Sequence, residues 1–89
     1  MLKTKLELSI YFADNLRIIR KEFGLTQKQV ADYCEVKKQA VNRWENKKQY
    51  PHYMQILKLC MLFECSSEIF FMDRKIIPEK DIQKLIKVY

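Results

Sequence analysis

The chain has 89 residues, enough for one domain and too few for two. Apolar residues make up 48% of it, which excludes a disordered tail, and its single glycine excludes a glycine-rich phosphate loop. Seventeen basic against eleven acidic residues give a net charge of +6, a balance that suits nucleic acid or another acidic surface.

No apolar run approaches the ~20 residues of a membrane span. The opening stretch, Met-Leu-Lys-Thr-Lys-Leu-Glu-Leu, carries charges where a signal peptide has its apolar segment, so the cytoplasm is the expected compartment. From Leu2 to Phe12 apolar and polar residues alternate: Leu2, Thr4, Leu6, Leu8, Ile10 and Phe12 against Lys3, Lys5, Glu7, Ser9 and Tyr11. That is the period of a β-strand with one buried face, which must pair with something to persist. Leu2, Leu6 and Ile10 are also spaced by four, so a helix competes. Residues 1–11 are therefore set apart as an N-terminal extension.

From Ala13 the period becomes helical. Leu16, Ile19 and Phe23 form a stripe, and Gly24 suits a left-handed cap. A second helix begins at Thr26, where Gln29 completes a capping box and Leu25 with Val30 can form a hydrophobic staple. Val30, Ala31 and Cys34 are its inward residues. A turn of two or three residues leads to a third helix, from about Lys37 to Trp44 or Glu45, with Ala40, Val41 and Trp44 inward. The polar run Asn46 to Pro51 reads as a loop. A fourth helix is expected from about Tyr53 to Phe63, with Ile56, Leu57, Leu59, Cys60 and Phe63 inward. A short fifth helix, capped by Ser66 or Ser67, holds Ile69 and Phe70. Residues 12–71 form the expected domain, and 72–89 a C-terminal extension. In the extension, Pro78, Glu79 and Asp81 suit a first turn, and Ile82, Leu85, Ile86 and Tyr89 mark an amphipathic helix. Trp44, Phe23, Phe63 and Phe70 fall on inward positions and are expected in the core. Tyr50 and Tyr53 flank Pro51, which leaves a phosphate contact by either hydroxyl open.

Three cysteines, Cys34, Cys60 and Cys65, leave one unpaired in any intramolecular scheme, so reduced structural thiols are expected. No C-x2-C pair exists and His52 is the only histidine, so no metal and no other cofactor is expected. One histidine also leaves little for acid–base catalysis, and no enzymatic activity is expected.

Two short helices joined by a tight turn, the second bearing exposed polar residues, are the pattern of a helix that enters a major groove ~12 Å wide. The exposed positions are Lys37, Lys38, Gln39, Asn42 and Arg43. Arginine and lysine match the acceptors of guanine; glutamine and asparagine match adenine. Between Lys37 and Lys48 five positive charges stand against Glu45 alone, so most of the net charge lies in twelve residues. Lys37 and Lys38 sit at a helix N-terminus, where the dipole disfavours cations. A phosphate or base partner accounts for that cost better than a solvated helix face does.

The run Leu16-x-x-Ile19-Arg20, Leu25-Thr26-Gln27-x-x-Val30-Ala31, Val36, Val41-x-x-Trp44-Glu45-Asn46 and Pro51 resembles the Cro-type, lambda-repressor-like helix-turn-helix proteins. Ile56-x-x-Leu59 and Phe63-x-x-Ser66-x-x-x-Phe70 extend the likeness, which covers about Phe12 to Phe71. The resemblance implies an all-α, five-helix domain and double-stranded DNA as partner. It implies base contacts by Lys38, Gln39 and Arg43, with Asn42 a further candidate. It implies phosphate contacts by Gln27 and Asn46, and a partly buried ion pair of Arg20 with Glu45. Lys37, Lys47 and Lys48 are added as phosphate contacts from their charge and position. Glu35, Lys47 and Glu64 stand where the family usually has glycine, and Lys37 where it has a serine or threonine cap.

The expected function is sequence-specific DNA binding by a small repressor with no separate sensor domain. One helix reads few base pairs, so a homodimer on a palindrome with half-sites ~34 Å apart is expected. The N-terminal strand and the Ile82/Leu85/Ile86 face are its two candidate interfaces. The alternative is an antitoxin or an adaptor for a protein partner on the same fold. A restriction-modification controller differs from these by gene context rather than by residues.

Overall fold

The computed structural model describes residues 5–73, and over these the chain is helical, with no strand. Helix α1 spans Lys5–Glu22, α2 Gln27–Cys34, α3 Lys38–Glu45 and α4 Tyr53–Phe63. A 3-10 helix, Ser67–Phe71, takes the place of the expected fifth α-helix. The C-terminal helix expected beyond Pro78 lies outside the described residues, as do Leu2 and Thr4 of the expected strand.

The strand reading fails at residues 5–12, which form the first turns of α1. A strand there needs a partner for its backbone groups, whereas a helix supplies its own. The winding also sorts the side chains differently. Phe12, Leu16 and Ile19, three or four apart, are fully buried, while Ile10 turns away and is 36% exposed. A strand would have put Ile10 and Phe12 on one face.

Each boundary has a local cause. Gly24, at φ 68°, ends α1, and the Leu25 amide donates back to Arg20 O at 3.1 Å. The capping box opens α2: Gln29 N–H donates to Thr26 Oγ1 at 3.1 Å, and Thr26 N–H donates to Gln29 Oε1 at 2.8 Å. Glu35 ends α2 at φ 59°, and Glu64 ends α4 at φ 51°. With Lys47 at φ 62°, all three residues that replace a family glycine are left-handed. Each costs roughly 1–2 kcal/mol relative to ordinary helical backbone.

The core gathers Phe12, Leu16 and Ile19 from α1, Val30 from α2, Val41 and Trp44 from α3, and Leu59 and Phe63 from α4. Phe70 closes it, with ring centroids 5.4 Å from Phe12 and 6.4 Å from Phe63. Two expected core residues sit further out. Phe23 follows the last residue of α1, in the turn that leads to Gly24; it is more than a third exposed and packs edge-on against Phe63 at 5.0 Å. Leu57 lines a groove on the outer side of α4 instead of facing inward with Ile56.

One buried polar side chain has no signal in the sequence. Asn15 is buried in α1, and its Nδ2 donates to Phe70 O at 2.9 Å and Met72 O at 2.8 Å. It ties α1 to the end of the 3-10 helix. Asn15→Ala leaves those carbonyls without this donor, so a loss of about 1–3 kcal/mol is expected in urea unfolding. An unchanged midpoint would show that solvent replaces Asn15.

The cysteines are free thiols. Burial pushes Cys34 up to about 11 and Cys65 up to about 12, so both stay protonated near neutral pH. Among the described residues, no three metal-ligating side chains converge.

Candidate nucleic-acid interface

Helices α2 and α3 are joined through Glu35, Val36 and Lys37. Because Glu35 is left-handed, its amide reaches the carbonyls of Ala31 and Asp32, and Val36 N–H donates to Ala31 O at 3.0 Å. That closes α2 and sends the chain directly into α3. Val41 and Trp44 hold α3 against the core, while Lys38, Gln39, Asn42 and Arg43 are exposed on its other side. Lys37 is the N-cap and provides no side-chain hydrogen bond to the first turn. A cation at that end opposes the helix dipole, whereas Arg43 in the last turn agrees with it.

Arg43 and Gln39 border a shallow depression with Lys37, Ala40 and Gln49. The backbone carbonyl of Arg43 accepts from Lys48 N–H at 2.9 Å and Gln49 N–H at 3.3 Å, which folds the loop back beside the helix. Asn46, Lys47 and Lys48 are all exposed there. Lys47 carries the left-handed backbone, and its Nζ lies 3.1 Å from Asp14 of α1. Tyr50 packs edge-on against Phe12 at 5.4 Å, and partial burial raises its phenol above the usual value.

Beneath this face lies a polar network centred on the buried Glu45. Arg20 grips the carboxylate with two bonds, Nε to Oε2 at 2.6 Å and Nη2 to Oε1 at 3.0 Å. Its Nη1 donates to Leu25 O at 2.9 Å, so one guanidinium joins α1, the α1–α2 turn and α3. Gln27 Nε2 donates to Glu45 Oε1 at 3.1 Å, and Asn42 Nδ2 donates to Gln27 Oε1 at 3.3 Å. Gln27 is thus half-buried and engaged within the protein, but its amide nitrogen has a second hydrogen to offer.

Two residues of this surface escape a reading of the sequence. Arg17 of α1 reaches across to α3, where its Nη2 donates to Glu45 O at 3.2 Å and Asn46 Oδ1 at 3.3 Å. It lies 29 positions from Asn46, and no local pattern announces such a pair. Gln49 reads in the sequence only as part of a polar loop.

A helix pair closed by a tight turn, with the second helix carrying exposed polar and basic side chains above a hydrogen-bonded network, defines a DNA-binding helix-turn-helix domain. The chain belongs to the Cro-type helix-turn-helix family, whose description, helix-turn-helix, matches residues 16–70, well over half its length. Neither the curated proteins nor the solved structures gave a match.

Proposed function

We propose that this protein is a small repressor that binds a palindromic operator as a homodimer. Lys38, Gln39, Asn42 and Arg43 read base edges in the major groove. Gln27, Lys37, Asn46, Lys47 and Lys48 hold phosphates and set the register, and Arg17 adds its charge beside Asn46. The observation that carries this reading is the grouping of exposed base-reading types on α3 with the basic loop that follows it. A cation at the start of α3 supports it, because a bound phosphate offsets the unfavourable dipole there. Gln27 can keep its bond to Glu45 and offer its second amide hydrogen to a phosphate.

Fluorescence anisotropy with DNA from upstream of the protein's own gene tests the proposal. Binding at least ~10³-fold tighter than to random duplex is expected. The logarithm of affinity should fall with the logarithm of salt by about 0.9 for each phosphate contacted. Weak binding indifferent to sequence would make α3 no more than a charged surface.

A further inference from the structure

Two of the three cysteines lie at one end of α4. Cys60 is in its last turn, Cys65 is the second residue beyond it, and the left-handed cap Glu64 precedes Cys65 directly. That cap folds the chain back, so that Cys65 N–H donates to Cys60 O at 3.0 Å. The side chains meet as well: the two thiols hydrogen-bond to one another. Both are half-buried, packed against the core but open to solvent at one edge. Cys34 differs, being 1% exposed within the core. No contact proposed for DNA uses any of the three.

We propose that Cys60 and Cys65 are an oxidation site, where a peroxide forms an intramolecular disulfide that locks the end of α4 to the segment entering the 3-10 helix. A disulfide needs Cα atoms roughly 4.4–6.8 Å apart. Two residues joined by a direct backbone hydrogen bond meet that need, and thiols already in contact can close the link by side-chain rotation. The bond between them also assigns the roles. Burial, the charge of Cys60 and the hydrogen bond to it push Cys65 up to about 12. Burial raises Cys60 too, but there the bond from Cys65 acts the other way and favours the thiolate. Cys60 is therefore the attacking sulfur and Cys65 the resolving one. The Cys60 thiolate attacks one peroxide oxygen, the O–O bond breaks, and hydroxide leaves with the Cys60 proton as water. Cys65 sulfur then attacks the resulting sulfenic acid. The S–S bond forms, the S–O bond breaks, and the second oxygen leaves as water with the Cys65 proton. Two thiols and one peroxide thus give one disulfide and two waters; each sulfur gives up one electron. Because both thiols are mostly protonated near neutral pH, the lock responds to sustained oxidant and not to a brief pulse.

Hydrogen peroxide, added to the purified chain at pH 8, tests the proposal without DNA. The count of reactive thiols in denaturant should fall from three to one, and dithiothreitol should restore all three. The mass of the monomer should drop by ~2 Da, the two hydrogens lost, with Cys60 and Cys65 joined in the peptide map and Cys34 free. Dimedone, which captures sulfenic acids, should label Cys65→Ser at Cys60 and leave Cys60→Ser unlabelled. In urea, oxidation should lower the unfolding constant of the wild-type chain roughly tenfold, because the link constrains the unfolded state. It should leave Cys65→Ser unchanged. A thiol count that stays at three, a link that includes Cys34 or a second chain, or a gain of ~32 Da to sulfinic acid in place of the link would overturn the proposal. An oxidised chain no harder to unfold than the reduced one would overturn the lock. None of these readouts depends on whether the protein binds an operator.

Discussion

Replacing Arg43 and Gln39 together with alanine is expected to lower operator affinity roughly 30-fold to 10⁴-fold while leaving the fold unchanged. Each good bidentate base contact is worth about 1–3 kcal/mol of discrimination, so the pair contributes about 2–6 kcal/mol. Both side chains are exposed on α3, opposite Val41 and Trp44, so their removal opens no cavity. Thermal stability should change by no more than about 0.5 kcal/mol, as usual for surface substitutions. Random-duplex affinity should fall much less, through the single charge lost with Arg43. Lys48→Ala provides the contrast: a phosphate contact affects all sequences alike and lowers the salt slope by about 1. Anisotropy titrations of all three proteins against operator and random duplex separate these outcomes. Equal losses on both DNAs for the Arg43/Gln39 variant would reassign these residues from base reading to general attraction.

The second large effect is on stability. Glu45→Ala is expected to cost about 3–5 kcal/mol, because it strands the Arg20 guanidinium, whose side chain is 12% exposed beside a carboxylate that is 1% exposed. In a domain of this size that lowers the melting midpoint by at least ~12 °C, measured by circular dichroism. Replacing both partners, as Arg20→Met with Glu45→Leu, should recover most of the loss, since no charge is then left buried alone. The recovered protein should still bind its operator less tightly, because Gln27 loses its Glu45 anchor and carries Asn42 with it. A Glu45→Ala cost below about 1 kcal/mol would mean that solvent reaches the guanidinium and the pair does not brace the helices.

Local and distant contacts differ in how readable they are from sequence. The capping box at Thr26 and Gln29 depends on residues three apart, so the sequence alone makes it legible. The same holds for the ends of α4 and for the helical stripes of Val30, Ala31 and Cys34 or of Val41 and Trp44. Residues 5–12 are not legible in this way. Leu6, Leu8, Ile10 and Phe12 satisfy a period of two, whereas Leu8, Phe12 and Leu16 satisfy a period of four. Packing decides between them, since α1 continues unbroken into the segment that buries Leu16 and Ile19. Leu57 is ambiguous for a related reason: in a helix that is nearly all apolar, hydrophobicity does not say which side faces the core.

By itself, then, the sequence determined the succession of helices from α2 through α4, the capping box that opens α2, and the polar and basic composition of the exposed side of α3. Each follows from contacts within a turn or two of helix, where backbone geometry alone decides which side chains meet. Tertiary structure decided what depends on distant residues. It placed Asn15 against the carbonyls of Phe70 and Met72, and Arg17 beside Asn46. It linked Gln27 to both Glu45 and Asn42, and it left Met54 and Met61 on an uncovered face. Those pairings arise only once the helices pack, because the shape of the shared core, and no local periodicity, sets which surfaces come together.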